Sequence, residues 1–210
     1  MHIPDGFLAP TITIPAYAAA APLWVWAARK HFGPGQVDAL PAVGALTAVA
    51  FVLQTIMIPL PGGTSTHLVG ASLLALLRGP LVAFLCESLV LLLQAMFFGA
   101  GGITVLAVNA LAMGLLGPCA AWLVFWLLRR RAPRVGAFLA AYLGLQVSTM
   151  SVVLILGLQN HIDPTQLPTP FPVVLAAMMV PSLAVTGIIE GLYTMLAFRV
   201  LERARGRNSP

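Results

Sequence analysis

Residues 80–98 read PLVAFLCESLVLLLQAMFF, a short break GAGG follows at 99–102, and residues 103–129 read ITVLAVNALAMGLLGPCAAWLVFWLLR. Between Pro80 and Arg129 the only charged side chains are Glu87 and Arg129 itself. A helix needs about 20 apolar residues to cross the hydrocarbon of a bilayer, and each run is long enough. Outward from this pair, apolar runs divided by Pro, Gly and Arg predict further helices at 10–28, 38–60, 67–78, 134–159 and 173–200. The expected fold is an all-α, polytopic bundle of about seven transmembrane helices, one domain over residues 1–210.

Composition agrees. Of 210 residues, 60% are hydrophobic and 8% charged, and the mean hydropathy is +0.96. Soluble domains carry about 25% charged residues, and a chain this poor in charge has too little to cover a water-facing surface. The net charge of +5 does not indicate nucleic-acid binding, because the basic residues form short clusters between apolar runs. Arg29 and Lys30 follow the first helix, Arg78 the third, and Arg129–Arg131 and Arg134 the fifth; Arg199, Arg203, Arg205 and Arg207 end the chain. With seven crossings all eleven fall on one side, so the N-terminus is expected outside and the C-terminus in the cytosol of a cell-membrane protein. Cys86 and Cys119 lie in apolar runs and read as buried hydrophobes, not as a disulfide. The opening MHIPDGFLAP lacks the basic start and apolar run of a signal peptide, so the mature chain is expected to begin at Met1.

The third helix is short. Eleven helical steps from His67 to Arg78 rise only about 17 Å against a hydrocarbon core of about 30 Å. With Arg78 at the cytosolic interface, His67 lies well below the outer surface, and the loop at 61–67 dips in from outside, with Ser65 or Thr66 placed to cap the helix. Pairs of small residues four apart, among them Gly117/Ala121, Gly136/Ala140/Gly144 and Gly187/Gly191, let helices approach closely, most simply within the bundle.

The chemistry begins at Met1 and His2, in an N-terminal segment spanning 1–9. A free amine on Met1, the amide nitrogen of His2 and its imidazole close a five- and then a six-membered chelate ring around one metal. Three coplanar nitrogens with a corner left open suit Ni(II) or Cu(II). A His at position 2 of an exposed tail carries no such meaning alone. His67 strengthens the case, because it falls on the same outer half, where ionisable side chains at membrane depth have a partner and a task. His31 and His161 read as surface residues, the latter able to attract cations weakly with Asp163. Gln54, Glu87, Gln94, Asn109, Gln146 and Glu190 should face the bundle interior. Asn109 and Gln94 are candidates to fix a ligand imidazole, and interhelical hydrogen bonding is the plain alternative for each. No P-loop, GxSxG or HExxH occurs, so neither ATP hydrolysis nor another enzymatic activity is expected.

MHIPDG at the start, GTSTHLVGA around His67 and LLLQAMFFGAGGITVLAVNALAMG at 91–114 resemble the NikM/CbiM family, and the likeness continues to IIEGLYT at 188–194. The family comprises the nickel- or cobalt-specific substrate-binding (S) components of energy-coupling-factor (ECF) transporters. The resemblance implies that Met1, His2 and His67 hold Ni2+ or Co2+ as the transported substrate. It further implies partnership with a transmembrane coupling subunit, cytosolic ATPases and a small accessory membrane protein, with ATP binding driving metal release inside. MHIPDG is nearer the nickel branch. One departure is Leu183, where the family often carries His. Two rival functions stay open: an intramembrane enzyme using His67 with Glu87 or a nearby Ser, and a vitamin-type solute binder, which 8% aromatics equips poorly.

Overall fold

A computed structural model describes residues 2–33, 40–60, 64–167 and 169–207. Proline or glycine marks most helix boundaries. Proline at the first helical position loses no hydrogen bond, and it opens α1 (Pro10–His31), α4 (Pro80–Phe98) and α6 (Pro133–Ile162). Between α1 and α4 lie α2 (Leu40–Thr55), a hairpin of β1 (Ile58–Leu60) with β2 (Thr64–Thr66), and α3 (Ala71–Arg78). Two longer helices carry π-helical stretches beside prolines. In α5, Leu106–Leu128, the stretch Ala110–Leu116 precedes Pro118; in α7, which runs from Phe171 to Arg207, Ser182–Thr186 follows Pro181. Proline has no N–H and crowds the carbonyl four residues back, which for Pro118 is that of Gly114 inside the widened stretch.

Among the described residues five helices are long and apolar enough to cross a membrane, while α2 and α3 have 16 and 8 residues. The outer surface of the bundle is apolar: Phe97 is 71% exposed, Val200 65% and Leu127 61%. Such a surface is at rest only against lipid or another apolar chain. The protein is an all-α membrane bundle with one small hairpin inserted, and it crosses the membrane several times.

Small residues form its tightest seam. A Cβ added to Gly144 on α6 would come within 2.8 Å of Ala121 Cβ on α5, and one added to Gly191 on α7 would meet the Phe138 ring at 2.8 Å. The internal-packing use expected of these small residues is observed. Cys86 and Cys119 are free.

Three expectations are corrected around His67. The second predicted helix, 38–60, ends at Thr55, and 58–60 pair as a strand. The third begins at Ala71 instead of His67, so 67–70 is irregular backbone. Neither Ser65 nor Thr66 caps it, since both lie in β2 and Gly70 occupies the cap with φ 73°. Any other residue at Gly70 would be strained there and would press a Cβ onto Ala50 at 3.3 Å. Positions 38, 39 and 61–63 lie outside the described residues.

Candidate metal centre

Two segments distant in sequence meet at the end of the bundle opposite the basic helix ends. The first is the N-terminal segment. Ile3, 1% exposed, belongs to the main hydrophobic core with Phe84, Met113 and Leu156. Asn109, buried on α5, takes both backbone groups of Ile3: the Ile3 N–H donates to Asn109 Oδ1 at 3.0 Å, and Asn109 Nδ2 donates to the Ile3 carbonyl at 3.0 Å. Of the two roles open to it in the sequence, Asn109 thus fills neither: it fixes the chain beside His2, not an imidazole or a neighbouring helix. Asp5 accepts the Ile103 and Thr104 N–H groups at 3.1 and 2.9 Å and the Thr104 hydroxyl. Gly102 makes this possible, since a Cβ there would fall 2.0 Å from Asp5 Oδ1. Ala9 N–H donates to Gln159 Oε1 at 2.8 Å, and Tyr17 donates its hydroxyl to the Ile103 carbonyl.

The second segment is His67–Gly70, held from below. Both oxygens of Glu190 on α7 accept backbone N–H groups, Val69 at 2.9 Å and Gly70 at 2.8 Å. Gln54 Nε2 donates to the Val69 carbonyl at 2.8 Å and to both oxygens of Glu87, at 3.0 and 2.9 Å. Gln54, Glu87 and Glu190 are completely buried. These bonds satisfy the irregular backbone of a segment buried inside the bundle. Thr66 adds a hydroxyl contact to Thr186 at 3.1 Å, beside the π-helical stretch of α7.

The two segments bring His2 and His67 face to face. Their rings stack with centroids 4.6 Å apart and planes 18° apart, and the residues are 4% and 2% exposed. His67 Nδ1 lies 2.9 Å from the Leu68 carbonyl, which can only accept, so Nδ1 carries the proton and Nε2 keeps its lone pair. Among the described residues, His67 Nε2 and both ring nitrogens of His2 are buried without a hydrogen-bond partner. Burial, then the neighbouring His67, holds the His2 imidazole well below its ordinary pKa. At neutral pH it is uncharged, the form that binds metal. Met1 lies outside the described residues. Gln94 sits against His2.

Other candidates separate from this centre. His161 is exposed in the last turn of α6, and Asp163 beside it accepts the Thr165 N–H at 3.0 Å and hydroxyl at 2.6 Å, which lowers its carboxyl pKa. His31 closes α1. Leu183 is 46% exposed, and its carbonyl accepts the Tyr142 hydroxyl at 3.1 Å. Glu87 is bonded by Gln54 and His67 Nδ1 faces the Leu68 carbonyl, and no hydrogen bond joins Glu87 to His67 among the described residues. A cavity of about 380 Å³ beside His67 is walled by Leu53, Ile56, Leu68, Val185 and Ile189, with no aromatic side chain among its described lining residues. The roles of Ile3, Asp5, Gly102 and Gln159 were not read from the sequence. The DG pair at 5–6 signals a turn, and Gly6 does adopt φ 85°.

Fold and centre together define a multi-pass helical membrane protein with a buried two-histidine site. Residues 2–207 match the model of a family described as the CbiM cobalt uptake substrate-specific transmembrane region, and the chain belongs to that family. It is 34% identical over 218 residues to the fused nickel transport protein NikMN of Rhodobacter capsulatus, covering 97% of this chain and 62% of that longer protein. The crystal structure of a truncated transition metal transporter superposes with TM-score 0.90 at 31% identity, covering 97% of this chain and 99% of that one. The S component of a bacterial ECF transporter shares the fold at TM-score 0.51 and 21% identity, over 82% of this chain and 97% of that one.

Proposed function

We propose that this protein captures Ni2+ at the outer face of the cell membrane and holds it with four nitrogens: the Met1 amine, the His2 amide and imidazole, and His67 Nε2. The observation that carries this reading is the stacked, buried pair of imidazoles whose His2 nitrogens and His67 Nε2 have no partner. Buried polar atoms are rarely left unpaired without a ligand or water to meet them. Among the described residues no group of three or more His, Cys, Asp or Glu side chains converges, so backbone nitrogens are needed to complete a tetragonal set. Family membership and the nickel named for the fused relative favour the same class of substrate. Cobalt is the second reading, because the family is described by cobalt uptake.

The basic helix ends favour a cytosolic C-terminus. In that orientation the chain acts as the metal-binding component beside a transmembrane coupling subunit and cytosolic ATPases, with a small accessory membrane protein, and performs no catalysis itself. Purified protein with a free N-terminus should carry one nickel per chain, and N-acetylation or a Gly inserted between Met1 and His2 should abolish tight binding. Equal nickel content in free and N-acetylated protein would sink the ligand set, and preferential retention of cobalt would reverse the choice of metal.

A further inference from the structure

Gln94 is completely buried in the last turn of α4, and neither atom of its side-chain amide has a hydrogen-bond partner among the described residues. The other wholly buried glutamines are engaged: Gln54 donates to Val69 and Glu87, and Gln159 accepts from Ala9 and donates to Gln166. An amide left unpaired at this depth costs about 1–3 kcal/mol. Its backbone shows why it sits where it does. The Gln94 carbonyl accepts the Gly99 and Ala100 N–H groups, closing the helix so that the glycine-rich turn can cradle the N-terminal segment. The side chain is thereby set against His2.

The two histidines pose the same chemical problem, and only one is visibly solved. A neutral imidazole offers one lone pair, and the hydrogen bond made by its other nitrogen decides which. For His67 the Leu68 carbonyl takes the Nδ1 proton and frees Nε2. For His2 the short path from its own amide nitrogen through Cβ and Cγ lets only Nδ1 close a six-membered chelate ring. Its proton must then sit on Nε2, where an acceptor is required, and the Gln94 side chain against His2 carries an Oε1 without a partner among the described residues.

We propose that Gln94 is the positioning residue for His2: its Oε1 accepts the Nε2 proton, fixes the tautomer that turns Nδ1 to the metal, and sets the plane of the ring. This inference rests on the reading of His2 as a ligand. The probe is Ni(II) alone. Gln94→Met keeps the volume and removes the acceptor, and should weaken binding by about 10–100-fold while one nickel still binds at saturation. Gln94→Glu restores an acceptor and should recover most of the loss together with the wild-type d–d absorption bands. In wild-type metal-free protein with only His31 and His161 replaced by Gln, nitrogen-15 shifts of labelled histidine should report His2 protonated on Nε2 and His67 on Nδ1. His2 protonated on Nδ1 would overturn the proposal without recourse to any Gln94 variant, as would Gln94→Met with wild-type affinity. Unweakened nickel binding by His2→Ala would instead refute the ligand set beneath it.

Discussion

The two arms of the centre are anchored by opposite means. His67 hangs on a loop whose backbone is gripped by Glu190 and Gln54, both wholly buried and both on spanning or near-spanning helices. His2 hangs on a segment buried at Ile3, held by Asn109, and again at Leu8, while Asp5 between them and its partner Thr104 are exposed. Water competes for the Asp5 bonds and not for those of Glu190 and Gln54. The His67 arm is therefore the fixed half of the site and the His2 arm the half able to lift and admit an ion.

Breaking the fixed arm should have the largest effect. Glu190→Ala strips two buried N–H groups of their acceptor, an expected destabilisation of about 2–5 kcal/mol. Thermal unfolding in detergent should show it, with loss of nickel binding alongside. If Glu190→Ala unfolds like wild type, the distinction between the arms fails. Asn109→Ala should cost less, about 2 kcal/mol of local order at Ile3, read as a nickel affinity reduced by roughly thirtyfold in a protein that melts near wild type. Asp5→Ala, at the exposed end, should reduce affinity by only about fivefold, or about 1 kcal/mol. An Asp5 effect exceeding that of Asn109 would place the hinge of the tail elsewhere. The smallest effects belong to His31→Ala and His161→Ala, which should be silent in cellular metal uptake.

Acidification sharpens the same contrast. The His2 pKa is lowered in the folded protein, so the unfolded chain binds the extra proton first; stability tied to this group is full above about pH 6.5 and is lost as pH falls below that value. Metal binding should weaken already between pH 8 and pH 6, because the Met1 amine, near 7.7–8.0 when unperturbed, and the His2 amide must release protons. Titration calorimetry in buffers of different ionisation enthalpy should count more than one proton per nickel. Constant affinity across that range would argue against nitrogen ligation.

Much of this arrangement could be read along the chain because it depends on local features. The apolar runs marked every helix, with ends that moved by up to seven residues. The details around His67 were hidden for physical reasons. HLVG at 67–70 is as apolar as the helix that follows, so periodicity carried the helix back to His67, and only the left-handed Gly70 stops it. Ile58–Leu60 extended an apolar helix in the same way, although the prolines and glycines after Met57 suit a hairpin. Glu190 grips a loop 120 residues earlier in the chain, and Asn109 binds Ile3 across 106 residues. No spacing rule reaches that far. Gln94 and Asn109 were equal candidates in sequence, and only the packing shows that Asn109 binds the backbone of Ile3 instead of an imidazole.

The brevity of α3 also has an electrical consequence. Eight residues rise only about 12 Å, so in the proposed orientation an ion beside His67 has already passed roughly half of a hydrocarbon layer about 30 Å thick. Charge moved through a membrane potential gains about 2.3 kcal/mol per elementary charge per 100 mV; the two charges of the ion, less the protons released outward on binding, leave a net gain below about 1 kcal/mol at that depth and voltage. The short helix thus lets the cell's resting voltage help fill the site before any ATP is spent.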